Sequence, residues 1–173
     1  MIKFGTDGYR AIIGQDYTFE IVEKIAQAQA DSLKERGGKK VVIGYDTRFM
    51  SEDFALSVAE VFSSNGFEVF VSKGNCTTPA LSYAVKSLGA DEGVMITASH
   101  NGYKYNGYKI KGSYGGPATV DIIKDVESRF GKSAVLKGKK DFQFLDLTSH
   151  YLQKIKSYFD YSIFKQKELK VIH

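Results

Sequence analysis

Thr97-Ala98-Ser99-His100-Asn101 sets a hydroxyl, an imidazole and a carboxamide side by side, directly after the apolar run Gly93-Val94-Met95-Ile96. A run of that length and character fills a buried strand, so the polar residues emerge at a strand's C-terminal end. Open α/β sheets place their ligands there. Three chemistries fit a serine so placed. It could carry a group, act as a nucleophile with His100 as its base, or simply bond to nearby backbone. The second is disfavoured, because adjacent side chains in extended backbone point to opposite faces and the Gly-x-Ser-x-Gly elbow is absent. Group carriage and plain backbone bonding both remain open on the local residues.

Other stretches offer weaker chemistry. Tyr103-Lys104-Tyr105-Asn106-Gly107-Tyr108-Lys109-Ile110-Lys111 interleaves bases with rings. That is the pattern of a single-stranded nucleic-acid platform, of a loop that meets a sugar phosphate, or of an edge strand whose Tyr108 and Ile110 face a core. On composition alone it reads as a solvated loop. Phe4-Gly5-Thr6-Asp7-Gly8-Tyr9-Arg10 reads as a turn before a strand, with Arg10 in a surface ion pair. Asp46 and Arg48, just past another apolar run, are expected to bond each other and brace their loop. His150 and His173 lack ligand spacing, and no D-x-D-x-D or H-x-x-x-H cluster occurs, so a complete metal site is not encoded.

Strands and helices alternate around these residues. A helix is expected from about Thr18 to Arg36, with Ile21, Val22, Ile25, Ala26, Ala28 and Leu33 on one face and Gly37-Gly38 as its stop. Lys40–Tyr45 reads as a buried strand. Ser51 is the expected N-cap of a second helix ending at Asn65-Gly66, and Phe67–Val71 is the next strand. Thr78 is expected to cap a third helix with Pro79 in its first position, ending at Gly89. Gly93–Thr97 is a fourth strand in this series, and further helices are expected over 120–130 and 148–158. This alternation predicts an α/β three-layer α/β/α domain with a mixed, mostly parallel four-stranded sheet.

Composition narrows the class. A chain of 173 residues, 43% hydrophobic and 25% charged, can bury one sizeable core and is not a disordered tail. Cys76 is the single cysteine, which rules out an intrachain disulfide and a cysteine-based metal site. No apolar run approaches the roughly 18 residues of a membrane span, and no signal segment follows Met1, so the expected location is cytoplasmic, with no membrane partner. A net charge of +4 favours anionic partners without choosing among them. Glu168–His173 starts like a buried strand that nothing follows. The expected division is therefore a domain over 1–160, then a linker and the first strand of a truncated second domain over 161–173.

Taken in order, FGTDGYR at 4–10, VVIGYDTR at 41–48, CTTPALSYAV at 76–85, TASHN at 97–101 and YNGYKI at 105–110 are more specific than any one of them. In order and spacing they resemble the N-terminal domain of the α-D-phosphohexomutases, the phosphoglucomutase/phosphomannomutase group, from residue 4 to about 130. The resemblance implies an enzyme, an intramolecular phosphotransferase that interconverts hexose 1- and 6-phosphates through a phosphoserine and a bisphosphate intermediate. It implies that Ser99 carries the phosphoryl group and that His100, Lys109 and Arg10 are catalytic, with Asn101 and Thr6 against substrate.

The resemblance also implies Mg²⁺ on the phosphate of Ser99, its remaining ligands in the missing second domain, and a hexose bisphosphate as phosphorylating activator. The partners implied are a hexose phosphate and the missing domains of the same chain, with no nucleic acid. Gly102 stands where the family usually has proline, and Ala11 where glycine is common. A fragment without the later domains is expected to be inactive. The alternative reading is a stand-alone module binding anionic ligands or single-stranded nucleic acid through the Tyr/Lys segment.

Overall fold

The run Lys40–Tyr45 carries no polar face, and a strand of that kind must be covered on both sides. The computed structural model describes residues 2–5, 8–162 and 170. Eleven elements follow one another in the described residues: β1 (Tyr9–Ile12), α1 (Phe19–Glu35), β2 (Lys40–Tyr45), α2 (Ser51–Ser64), β3 (Glu68–Ser72), α3 (Thr78–Ser87), β4 (Glu92–Ile96), β5 (Tyr105–Gly112), α4 (Val120–Arg129), β6 (Gln143–Leu145) and α5 (Leu147–Lys156). They form one sheet in the order β1-β5-β4-β2-β3-β6. The pairs β4–β2, β2–β3 and β3–β6 are parallel, while β5 runs antiparallel to both β1 and β4.

The sheet therefore has six strands where four were expected, though the three-layer, mixed and mostly parallel class holds. The excess has local reasons. β6 is only three residues long, two of them exposed, too short to show a period. Tyr105–Gly112 is the larger correction. It is neither a solvated loop nor an edge but a buried interior strand between β1 and β4. The expected strand near 168–172 falls almost wholly outside the described residues.

Two cores sandwich the sheet. On one face Val22, Ile25 and Leu33 of α1 pack with Phe54, Val58 and Phe62 of α2 and with Val126 of α4. On the other, Leu81, Ala84 and Val85 of α3 pack with Val42, Met95 and Leu147. The helices start on side-chain caps at Thr18, Thr77, Thr119 and Asp146, each accepting from a backbone N–H one turn on, worth about 1 kcal/mol apiece.

Two expected caps shift. Thr77, not Thr78, caps α3, which puts Pro79 second in the helix. Met50 precedes α2 in a left-handed conformation with no side-chain cap, and Ser51 is the first helical residue. The Ser51 hydroxyl donates instead to Asp46 Oδ1 at 3.0 Å.

A polar chain crosses the first core. Tyr108 Oη donates to Gln29 Oε1 at 2.7 Å, Gln29 Nε2 donates to Glu92 Oε2 at 2.7 Å, and Arg36 Nη2 donates to Glu92 Oε1 at 2.6 Å. Burial, the largest influence, holds the Glu92 carboxyl above its ordinary value of 4.5, against the lowering pull of Gln29 and Arg36. A carboxyl raised in the folded state binds protons more readily there than in the unfolded chain. Its contribution to stability is complete below 4.5 and fades as pH rises through the folded value.

Glu92→Gln should therefore gain in thermal midpoint relative to the parent as pH is raised from 4 to 8. Gln29 can turn its amide to suit, since Tyr108 Oη accepts as well as donates. Melting both proteins across that range checks it, and a difference that shrinks with pH contradicts it.

Candidate functional site

β4 ends at Ile96, and its antiparallel neighbour β5 begins at Tyr105, so residues 97–104 form the connection at the sheet's C-terminal edge. Ser99 lies in that connection with φ +54°, a left-handed conformation that non-glycine residues seldom adopt. Ser99 and His100 are exposed, whereas Thr97 and Ala98 are buried. The hydroxyl thus faces outward on a turn whose base is fixed in the core.

Alternation along β5 sends Tyr108 and Ile110 into the first core and leaves Lys109 and Lys111 on the opposite face. Lys109 is only 5% exposed, yet its Nζ donates to Ser99 Oγ at 2.7 Å. Its stem lies beneath the Gly5–Gly8 bridge. A Cβ at Gly8 would fall 2.6 Å from Tyr108 O and 3.0 Å from Lys109 Cγ, so glycine is needed for the chain to pass that close. A small cavity of about 30 Å³ lined by Gly5, Gly8, Lys109 and Pro117 sits beside it.

The neighbouring strand supplies the rest. The parallel register pairs Tyr45 with Ile96, and Asp46 N–H donates to Ile96 O at 3.1 Å, which puts the loop after β2 against Thr97. Thr97 Oγ1 donates to Asp46 Oδ2 at 2.5 Å and accepts from Ser99 N–H at 2.9 Å. Arg48 Nη2 donates to Ser99 O at 2.7 Å and Asn101 O at 2.6 Å, while Nη1 reaches Tyr105 O at 2.9 Å and Gly102 O at 3.1 Å. The expected Asp46–Arg48 pair is present at 3.4 Å, but most of the guanidinium is spent on the loop.

Arg10 reaches the same connection from its other neighbour. Its Nη1 donates to Asn101 Oδ1 at 2.8 Å from β1, on the far side of the loop from Arg48. The structure thus brings Ser99, Lys109, Asn101 and Arg10 together. His100 stands exposed beside Ser99 and has no part in the hydrogen bonds that fix it. Thr6 lies outside the described residues. Gly102 faces open space, and its carbonyl is held by Arg48.

Sequence reasoning missed the reach of Arg48. The signal was its place just past the C-terminal end of β2, but nothing in the sequence pairs β2 with β4. The interleaved Tyr/Lys segment is split by the fold. Tyr103 is 82% exposed and Lys104 is exposed beside it, whereas Tyr108, Lys109 and Lys111 are buried. No continuous row of rings and cations is left on the surface by residues 103–111. Burial pushes the Cys76 thiol up, away from the range of a reactive cysteine. Among the described residues no three His, Cys, Asp or Glu side chains are grouped as metal ligands, and no helix is long and apolar enough to cross a membrane.

Comparison with known proteins adds four findings. The family described as "Phosphoglucomutase/phosphomannomutase, alpha/beta/alpha domain I" matches residues 1–136. A phosphoglucosamine mutase of Caldicellulosiruptor bescii is 38% identical over 125 residues, 72% of this chain and 28% of that protein. A phosphoglucomutase of Staphylococcus saprophyticus is 32% identical over 174 residues, 91% of this chain and 32% of that protein.

A crystal structure from Thermus thermophilus, provisionally identified as a phosphomannomutase, superposes with a TM-score of 0.87 at 38% identity. It covers 93% of this chain and 37% of that one. The chain spans about a third of the length of these relatives.

Proposed function

The chain belongs to the phosphoglucomutase/phosphomannomutase family as its α/β/α domain I, and we propose that it contributes the phosphoryl-carrying serine of an enzyme that interconverts hexose 1- and 6-phosphates. The observation that carries this reading is the contact between Lys109 Nζ and Ser99 Oγ at 2.7 Å, a buried ammonium aimed at an exposed hydroxyl. Plain backbone bonding, the bland reading of Ser99, does not account for it. That hydroxyl has a lysine as its partner, and the turn's own backbone bonds are made through Thr97 and Arg48.

Phosphoryl transfer asks for positioning and charge stabilisation more than for new covalent machinery. In the proposed cycle the free hydroxyl of a bound hexose monophosphate attacks the phosphorus on Ser99. The new sugar O–P bond forms as the Oγ–P bond breaks, and the proton lost by the sugar hydroxyl ends on Oγ. The bisphosphate then turns over, its other phosphoryl group returns to Ser99, and the isomeric monophosphate leaves.

Lys109 offsets the near-dianion of a phosphoserine and stabilises Oγ as it departs. Arg10 and Asn101, joined at 2.8 Å, present a cation and an amide to the substrate's phosphate and hydroxyls. His100, exposed beside the serine, is placed for proton transfer to a bound sugar, and Thr6 is assigned to substrate binding by its place in the same motif as Arg10.

Mg²⁺ would neutralise charge on the phosphate when bound. The described residues do not form a site for it, since they group no three ligating side chains and offer only a phosphate oxygen on Ser99. Its other ligands, the sugar-selecting groups and the rest of the substrate clamp are assigned to further domains. Residues 1–160 are read as domain I and 161–173 as the start of the next, and the 173-residue chain alone is expected to be inactive.

The test is phosphorylation of the whole mutase with glucose 1,6-bisphosphate and Mg²⁺, followed by digestion and mass spectrometry. One phosphate on the peptide containing Ser99 is expected. Phosphate on another residue, or sugar interconversion with none on Ser99, overturns the proposal.

A further inference from the structure

Two residues that the cycle does not use, Thr97 and Arg48, hold the backbone of Ser99, and Asp46 holds Thr97 in turn. We propose that Asp46, Thr97 and Arg48 form a positioning clamp that holds Ser99 in its left-handed turn so that Oγ meets Lys109. This inference rests on the phosphoserine reading and adds to it a device for geometry.

The direction of each bond follows from the donors available. An ionised carboxylate only accepts, so Thr97 must donate its single proton to Asp46 Oδ2, at 2.5 Å. The lone pairs of Oγ1 are then left for Ser99 N–H, at 2.9 Å. Thr97 cannot reverse this order while Asp46 is charged. The other oxygen, Asp46 Oδ1, accepts from Arg48 N–H and from the Ser51 hydroxyl, each at 3.0 Å. Ser51 in turn accepts from buried Asn106 Nδ2 at 2.9 Å, which fixes Asp46 from the start of α2 and from β5.

Arg48 holds the next peptide, on the carbonyl side of Ser99. Its two terminal nitrogens take the carbonyls of Ser99, Asn101, Gly102 and Tyr105, so the connection folds around one guanidinium. Those carbonyls would repel a phosphoserine if they faced it. Bound to Arg48, they have their negative ends met by a cation. Lysine cannot take Arg48's place, because a three-donor point charge lacks the planar fork that spans four acceptors. A residue at φ +54° persists only where its surroundings over-determine it, and here the amide and the carbonyl of Ser99 are both held.

Thr97→Val keeps the shape of the side chain and removes both hydrogen bonds, while Thr97→Ser keeps both. In the whole mutase, Thr97→Val is expected to lower kcat by about 10²-fold, the scale of an ångström-sized misplacement of a reacting group. KM should stay within about twofold, because the substrate contacts are untouched. Thr97→Ser should recover most of the loss, and Arg48→Lys should lower kcat as Thr97→Val does.

Hydrogen exchange at the Ser99 amide reads the geometry without catalysis. It should quicken in Thr97→Val and return to the parent rate in Thr97→Ser. Parent-like kcat or exchange in Thr97→Val, or equal losses in the Val and Ser variants, overturns the clamp. Ser99→Ala, run alongside, separates the two ideas: full activity there sinks the phosphoserine reading, while the exchange result decides the clamp by itself.

Discussion

Ser99→Ala in the whole mutase is expected to remove hexose phosphate interconversion, with a loss of at least about 10⁴-fold, in keeping with the cost of deleting the nucleophile of a serine enzyme. The same variant should take up no phosphate from glucose 1,6-bisphosphate. Its thermal midpoint should move by no more than about 4 °C, because the side chain is exposed and the turn is held through backbone groups that alanine retains. The pairing of those results matters. A variant that loses activity by unfolding says nothing of Ser99. One that melts normally and cannot be phosphorylated places the chemistry on one oxygen atom. Activity within about tenfold of the parent would return Ser99 to the bland reading that its local sequence also allowed.

The elements that position this serine were legible to unequal degrees, for physical reasons. α1 could be read because its apolar residues keep one period, and β2 because its run is apolar almost throughout, and the structure buries most of what those patterns select. β5 could not, because its core includes Asn106, Lys109 and Lys111, residues normally found at the surface. Such side chains stay inside only where partners arrive from elsewhere. For Asn106 the partner is Ser51, 55 positions away, and for Lys109 it is the turn at Ser99. β6 was too short to carry a pattern, while β1 matches the strand expected after the turn that begins at Phe4.

At the site, the order of motifs brought out Ser99, Lys109, Arg10 and Asn101, and the structure gathers those four. What composition could not supply was pairing. Arg48 reaches Ser99 across 51 residues, and only the register of β2 beside β4 makes that contact short. Read alone, Asp46 and Arg48 satisfy each other. Within the sheet, they hold the turn.

Lys109→Met should lower kcat by about 10²- to 10³-fold, the effect of withdrawing one charge-stabilising donor from a developing oxyanion. Methionine fills a similar volume without the ammonium, so the strand and its cover should survive the change. Two features make this loss larger than that of an ordinary surface cation. Nζ sits 2.7 Å from Oγ, in contact with the atom on which charge develops as the phosphoryl group leaves. The lysine is also 5% exposed, so water screens it poorly and each electrostatic contact is stronger than at the surface.

Arginine should not rescue the position. A planar guanidinium does not reproduce the compact point charge that meets Oγ at 2.7 Å. In the proposed cycle the ammonium has two tasks, countering the phosphoserine dianion at rest and meeting Oγ as it departs. The variant should therefore fail in both directions of transfer, with slower uptake of phosphate from the bisphosphate and slower delivery to a monophosphate. Quench-flow measurement of the two half-reactions checks this. Loss in one direction alone would mean that Lys109 only shifts the balance between phosphoserine and free serine, because the two half-reactions are one step run both ways, and unchanged rates in both would remove it from the site.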